Sequence, residues 1–133
     1  MRTPIPEGAH LCAVTYPGRA DQARAVRADL RVWLGACPLA DDLILCASEL
    51  AANAALHSRS GLRGATFTVR AETCPGSHAR VEVQDKGGPW RGPVPGGDGH
   101  HGLDIVQALA TTWGVDGDQF GRAIWVRIDW PGS

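Results

Sequence analysis

Lysine is almost absent from this chain: Lys86 is the only one, and the other basic residues are all arginine. Aromatic side chains are scarce at 6%. Charge of one sign is lacking too. Thirteen Lys and Arg stand against fourteen Asp and Glu, for a net charge of -1 and a pI near 6.5. That balance excludes a global basic field for nucleic acid or an anionic membrane. No apolar run approaches the roughly 20 residues that span a bilayer. The opening residues MRTPIPEGAH hold no apolar segment of the secretory kind, so a cytoplasmic protein is expected. None of the four cysteines (Cys12, Cys37, Cys46, Cys74) stands at CxxC spacing. Neither a zinc ribbon nor a redox motif is suggested, and all four read as reduced, mostly buried thiols.

What is present suffices for one domain over residues 1–133. Hydrophobic residues make up 44% and charged residues 20% of the chain. Scaling laws give about 20,000 Å² exposed when unfolded and about 6,700 Å² when folded, enough burial for a core without staples. Residues 1–8 carry Pro4, Pro6 and Gly8 and read as a loose lead. His10 to Tyr16 reads as an edge strand, stopped by Pro17 and Gly18. Val26, Leu30, Trp33 and Leu34 recur at helical spacing between Ala20 and Ala36, with Arg24, Arg27 and Arg31 on another face. A second helix is expected from Leu39 to Ser58, with Asp41 and Asp42 in its first turn and Leu43, Cys46, Leu50 and Ala54 inward.

Thr66 to Glu72 and Arg80 to Asp85 alternate as strands around the turn TCPGSH. Residues 87–102 then hold seven glycines and three prolines, a composition that builds a loop and no core. A third helix over 102–112 and strands at 113–115 and 123–130 close the chain. Hairpin-paired strands with helices on one side predict an α+β, two-layer sandwich with a mostly antiparallel sheet.

Three segments can carry chemistry. In ELAANAALHS, Glu49, Asn53 and His57 repeat at i, i+4 and i+8 and share one helix face. An Asn carbonyl is a hard oxygen ligand for Mg²⁺. A carboxylate one turn away can take a proton from a nucleophile. The plainer alternative is a solvated polar face. In VEVQDKGGPW a strand ends at Asp85, beside glycines that let a flat ring approach the backbone. A strand-end carboxylate accepts from an exocyclic amine such as that of adenine. An ordinary Asp–Gly turn is the alternative. In GDGHHGLDIV a glycine-rich loop runs into a helix N-terminus, where free N–H groups and the helix dipole suit phosphate. A flexible connection is the alternative there.

The order of these segments resembles the ATPase superfamily of gyrase, the large heat-shock chaperone, histidine kinases and mismatch-repair MutL, the GHKL or Bergerat fold. Residues 49–57 look like its N box, DKGG like its first glycine box and HGLDIV like its second. The chain is most similar to the small stand-alone bacterial members, the anti-sigma-factor serine kinases. LATTWGV and the tryptophan-bearing last strand look like actinobacterial members of that group.

The resemblance implies ATP and Mg²⁺ as cofactors. Asn53 would hold Mg²⁺ against the phosphates, and Glu49 would act as general base toward a protein serine or water. Asp85 would accept the adenine amine and Gly87 would let the base pack close. Gly102, with Leu103, would open the helix that meets the phosphates. Residues 86–101 would form the ATP lid, in which Trp90, Arg91, His100 and His101 are the candidates for contacts. The implied partners are a sigma factor, an anti-sigma antagonist phosphorylated on Ser or Thr, or another regulator. Neither nucleic acid nor membrane is implied, and a homodimer is possible.

Two departures leave an alternative open. Pro89 stands where the first box often has its second glycine, and His100 stands where the second box usually has one. Arg91 is the lone arginine or lysine between Gly87 and Gly102. A nucleotide-dependent interaction module with weak or no kinase activity fits those irregularities. A zinc site from His57, His100 and His101 lacks a completing ligand at proper spacing. Trp33, Trp113, Trp125 and Trp130 fall in periodic segments and read as packing residues.

Overall fold

The computed structural model describes residues 10–57, 64–86, 101–118 and 121–130. Strand β1 (His10–Pro17) leads through a short 3-10 turn (Ala20–Gln22) into helix α1 (Ala23–Leu34) and helix α2 (Ala40–His57). Strands β2 (Thr66–Cys74) and β3 (His78–Asp85), helix α3 (His101–Leu109), and strands β4 (Thr112–Asp118) and β5 (Gly121–Asp129) follow. The five strands form one sheet in the order β1-β2-β3-β5-β4, every neighbour antiparallel. The architecture is α+β, a two-layer sandwich, as the patterning predicts.

Period-2 alternation decides which face of the sheet meets the helices. Phe67, Val69 and Ala71 of β2, Ala79, Val81 and Val83 of β3, and Ile124, Val126 and Ile128 of β5 are all buried. They join Val26, Leu30 and Leu34 of α1, Leu43, Cys46, Leu50 and Ala54 of α2, and Val106 of α3 in one core. Tyr16 of β1 stacks on Phe67 at 5.6 Å, and its hydroxyl donates to Asp29 of α1 at 2.6 Å. That bond ties the edge strand to the first helix. Burial first, and Asp29 second, push the Tyr16 phenol well above its ordinary range.

The opposite face carries polar side chains arranged around Glu82. Arg70 lies 3.6 Å and Arg80 3.3 Å from its carboxylate. Arg80 also sits over the Trp125 ring at 5.3 Å. Trp33, Trp113 and Trp130 pack against the core, as expected, whereas Trp125 lies on this outer face. Parity explains the difference, because Trp125 falls between the inward Ile124 and Val126.

Several boundaries differ from the sequence expectation: β1 runs through Pro17, α1 is confined to Ala23–Leu34 and β5 begins at Gly121. The β2–β3 turn shrinks to Pro75–Ser77, where Gly76 takes φ +79, and the strands run up to it. Strand β4 covers seven residues rather than three, because Asp116 and Gly117 pair with β5 despite being turn formers. Helix α3 ends at Leu109, because Thr111 N–H turns to donate to the carbonyl of Arg127. All four cysteines are free, but only Cys46 is buried and the other three are half-buried. Among the described residues, no helix is long and apolar enough to cross a membrane.

Candidate functional site

Helix α2 is held at a fixed rotation by its apolar stripe. Leu43, Cys46, Ala47, Leu50, Ala51 and Ala54 are all at most 2% exposed. Glu49 and Asn53 flank that stripe, one turn apart, and both are half-buried. The helix packs on α1, α3 and β3. Glu49 and Asn53 are thus carried by a helix that contacts the strand ending at Asp85. His57 is the last residue of α2; its side chain lies outside the described residues.

Asp85 continues the inward parity of Ala79, Val81 and Val83, which is why a carboxylate ends up buried at 7% exposure. Directly across the ladder stands Arg122 of β5, also 7% exposed. Its Nε lies 3.7 Å from Asp85 Oδ1. Two opposite charges thus share the end of the inner face. Burying such a pair is costly unless each partner compensates the other, and removing one partner alone costs about 3–5 kcal/mol. Sequence reasoning missed Arg122. The signal was there: it precedes Ile124 by two and shares the parity of Ile124, Val126 and Ile128. What was not legible was the register that sets it opposite Asp85.

Gly121, beside Arg122, is near enough to β3 that an added Cβ would lie 4.0 Å from the Asp85 carbonyl. Helix α3 opens at His101, one residue before the expected Gly102. His101, Gly102 and Leu103 form its first turn, and their side chains lie outside the described residues. Gly87, Trp90, Arg91 and His100 lie outside the described residues altogether, as does most of the expected lid. Among the described residues no group of three or more His, Cys, Asp or Glu could hold a metal ion. The Glu49 and Asp85 carboxylates therefore belong to no such group.

No protein-family model matches the chain, and no curated protein matches it. Among solved structures it is similar to the RsbU and RsbW domains of Rv1364c from Mycobacterium tuberculosis, with a TM-score of 0.68 and 23% identity. The match covers 98% of this chain and 34% of that one, so this chain spans about a third of that chain's length. The likeness establishes the fold.

Proposed function

We propose that the chain is a Bergerat-type ATP-binding regulator of the anti-sigma-factor serine/threonine kinase kind. One observation carries the reading. The helix bearing Glu49 and Asn53 packs on both the strand ending at Asp85 and the helix opening at His101–Gly102. The described parts of the three motifs lie on α2 itself and on two elements that each contact it, which supports the reading. The likeness to a structure containing an RsbW domain is in accord with it.

In this reading Asp85 accepts the adenine amine and Gly87 gives the base room. Gly102 and Leu103 open the helix toward the phosphates, and Trp90, Arg91, His100 and His101 of the 86–101 segment are the proposed lid contacts. Mg²⁺ commonly takes one or two protein oxygens and completes its shell with substrate phosphates and water. A lone Asn53 amide fits that role, and the metal would neutralise phosphate charge. Glu49, one turn away, takes the proton of a Ser or Thr hydroxyl on an antagonist protein, and catalysis is mostly positioning. A sigma factor or another regulator is the second partner, and the protein acts in the cytoplasm.

The irregular glycine boxes, Pro89 and His100, favour a second reading, a nucleotide-dependent binding module without phosphotransfer. Melting curves with ATP, ADP and GTP, with and without Mg²⁺, test the site. A ligand at 100 times its Kd adds about 2.7 kcal/mol. An ATP shift enhanced by Mg²⁺, with that enhancement lost in Asn53→Ala, is expected; no shift at millimolar nucleotide refutes both readings. Loss of phosphate transfer in Glu49→Ala with ATP binding intact selects the kinase. A wild type that binds ATP but labels no partner selects the module.

A further inference from the structure

The sequence motifs account for Asp85 but not for the arginine buried against it. Arg122 is 7% exposed, stands in register with Asp85 and approaches it at 3.7 Å. A carboxylate is an acceptor and a guanidinium is a fork of donors that cannot be deprotonated in proteins. The end of the inner face therefore holds a carboxylate and a guanidinium side by side, both largely away from bulk water. A base edge that carries a donor beside an acceptor is complementary to such a pair. Adenine has its exocyclic amine beside a ring nitrogen. Guanine has its N1–H beside O6, reached by a slide of one position along the edge. A carboxylate alone repels the O6 of guanine, whereas an arginine beside it donates to that oxygen.

Resting on the nucleotide-site reading above, we infer that Arg122 is a specificity-determining residue that reads the base together with Asp85. It makes the site accept guanine as well as adenine nucleotides. Asp85 takes the N–H of the base and Arg122 donates to the neighbouring acceptor. A residue that merely completed the packing would alter stability without altering the preference between bases.

The test is calorimetric titration of the full chain with ADP and GDP. Wild type, Arg122→Met and Arg122→Lys are compared, each checked for folding by its melting curve. Wild type is expected to bind GDP within about tenfold of ADP, since one well-placed donor pair is worth about that factor or more. Arg122→Met loses GDP affinity at least about tenfold more than ADP affinity, because the O6 is left buried without its donor. Arg122→Lys keeps the buried charge and hence the fold, but as a single point donor it lowers the GDP:ADP affinity ratio in the same direction. This variant decides the matter if the Met variant does not fold. A wild-type preference for ADP above about a hundredfold overturns the inference, as does an unchanged ratio in the folded variants. In those cases ADP still binds and the nucleotide site stands. A folded wild type that binds neither nucleotide refutes the site itself, and this inference with it.

Discussion

Gly114 lies in β4 under the indole of Trp125, and a Cβ there would come within 2.7 Å of the ring. The tryptophan cannot simply swing away, because Arg80 is stacked over it and also reaches Glu82. Gly117, three residues on, is tighter still. Its φ is +98, and an added Cβ would meet the Gly121 carbonyl oxygen of the backbone at 2.1 Å. Overpacking against side chains costs about 1–3 kcal/mol. Gly114→Ala should fall in that range, and Gly117→Ala should cost more, because both steric clash and backbone conformation oppose it. Urea titrations of the two variants check the order. The cost of Gly114→Ala should largely vanish in a Trp125→Leu background, where the ring that it strikes is gone. Equal costs in both backgrounds would mean that the strand, rather than the indole, rejects the methyl group.

At the scale of elements, α2 divides into a buried face that folds the protein and a half-buried turn, Glu49–Asn53, that is proposed to meet a ligand. Leu50 is 2% exposed, whereas its neighbour Glu49 and the next-turn Asn53 are half-buried. Leu50→Ala should destabilise by about 2–5 kcal/mol. Asn53→Ala should change stability by well under half of that while removing the Mg²⁺ enhancement of nucleotide binding. Chemical denaturation alongside ligand titration separates the two effects; an Asn53 variant that unfolds as readily as the Leu50 variant would make Asn53 structural. This division was legible in the sequence, because helical spacing alone sorts Leu43, Cys46, Leu50 and Ala54 from Glu49 and Asn53. The helices and the inward faces of β2, β3 and β5 were legible for the same reason. The full length of β4 was not. Gly114, Asp116 and Gly117 have poor strand preference, and the strand forms because β5 supplies its ladder partners. Nor was Arg122 legible as a site residue, since its place beside Asp85 follows from a register between strands far apart in the chain.

For the whole molecule, the buried thiol of Cys46 reports how often the core opens. It is 0% exposed, between α2 and the sheet, whereas Cys12, Cys37 and Cys74 are half-buried. Burial first, and the charge of Asp42 second, push its pKa from 9.0 up to about 11. The thiolate is the species that reacts with an alkylating agent, so the folded state withholds Cys46 twice, by access and by charge. The same shift has a sign for stability. The folded pKa lies above the unfolded one, so its contribution is fully present below pH 9 and is lost as pH rises toward 11. At pH 8, iodoacetamide should modify Cys12, Cys37 and Cys74 first, and all four should react alike in denaturant. Mass spectrometry of partly labelled protein gives the order. When opening and closing are fast relative to alkylation, the Cys46 rate follows the population of opened protein. A nucleotide that binds only the folded state lowers that population by the factor 1 + [L]/Kd. ADP at 100 times its Kd should therefore slow Cys46 labelling about a hundredfold. Cys46 labelling as fast as that of the half-buried thiols would show that α2 does not close the core. Slow labelling that ADP leaves unchanged would show a closed core with no nucleotide bound to it.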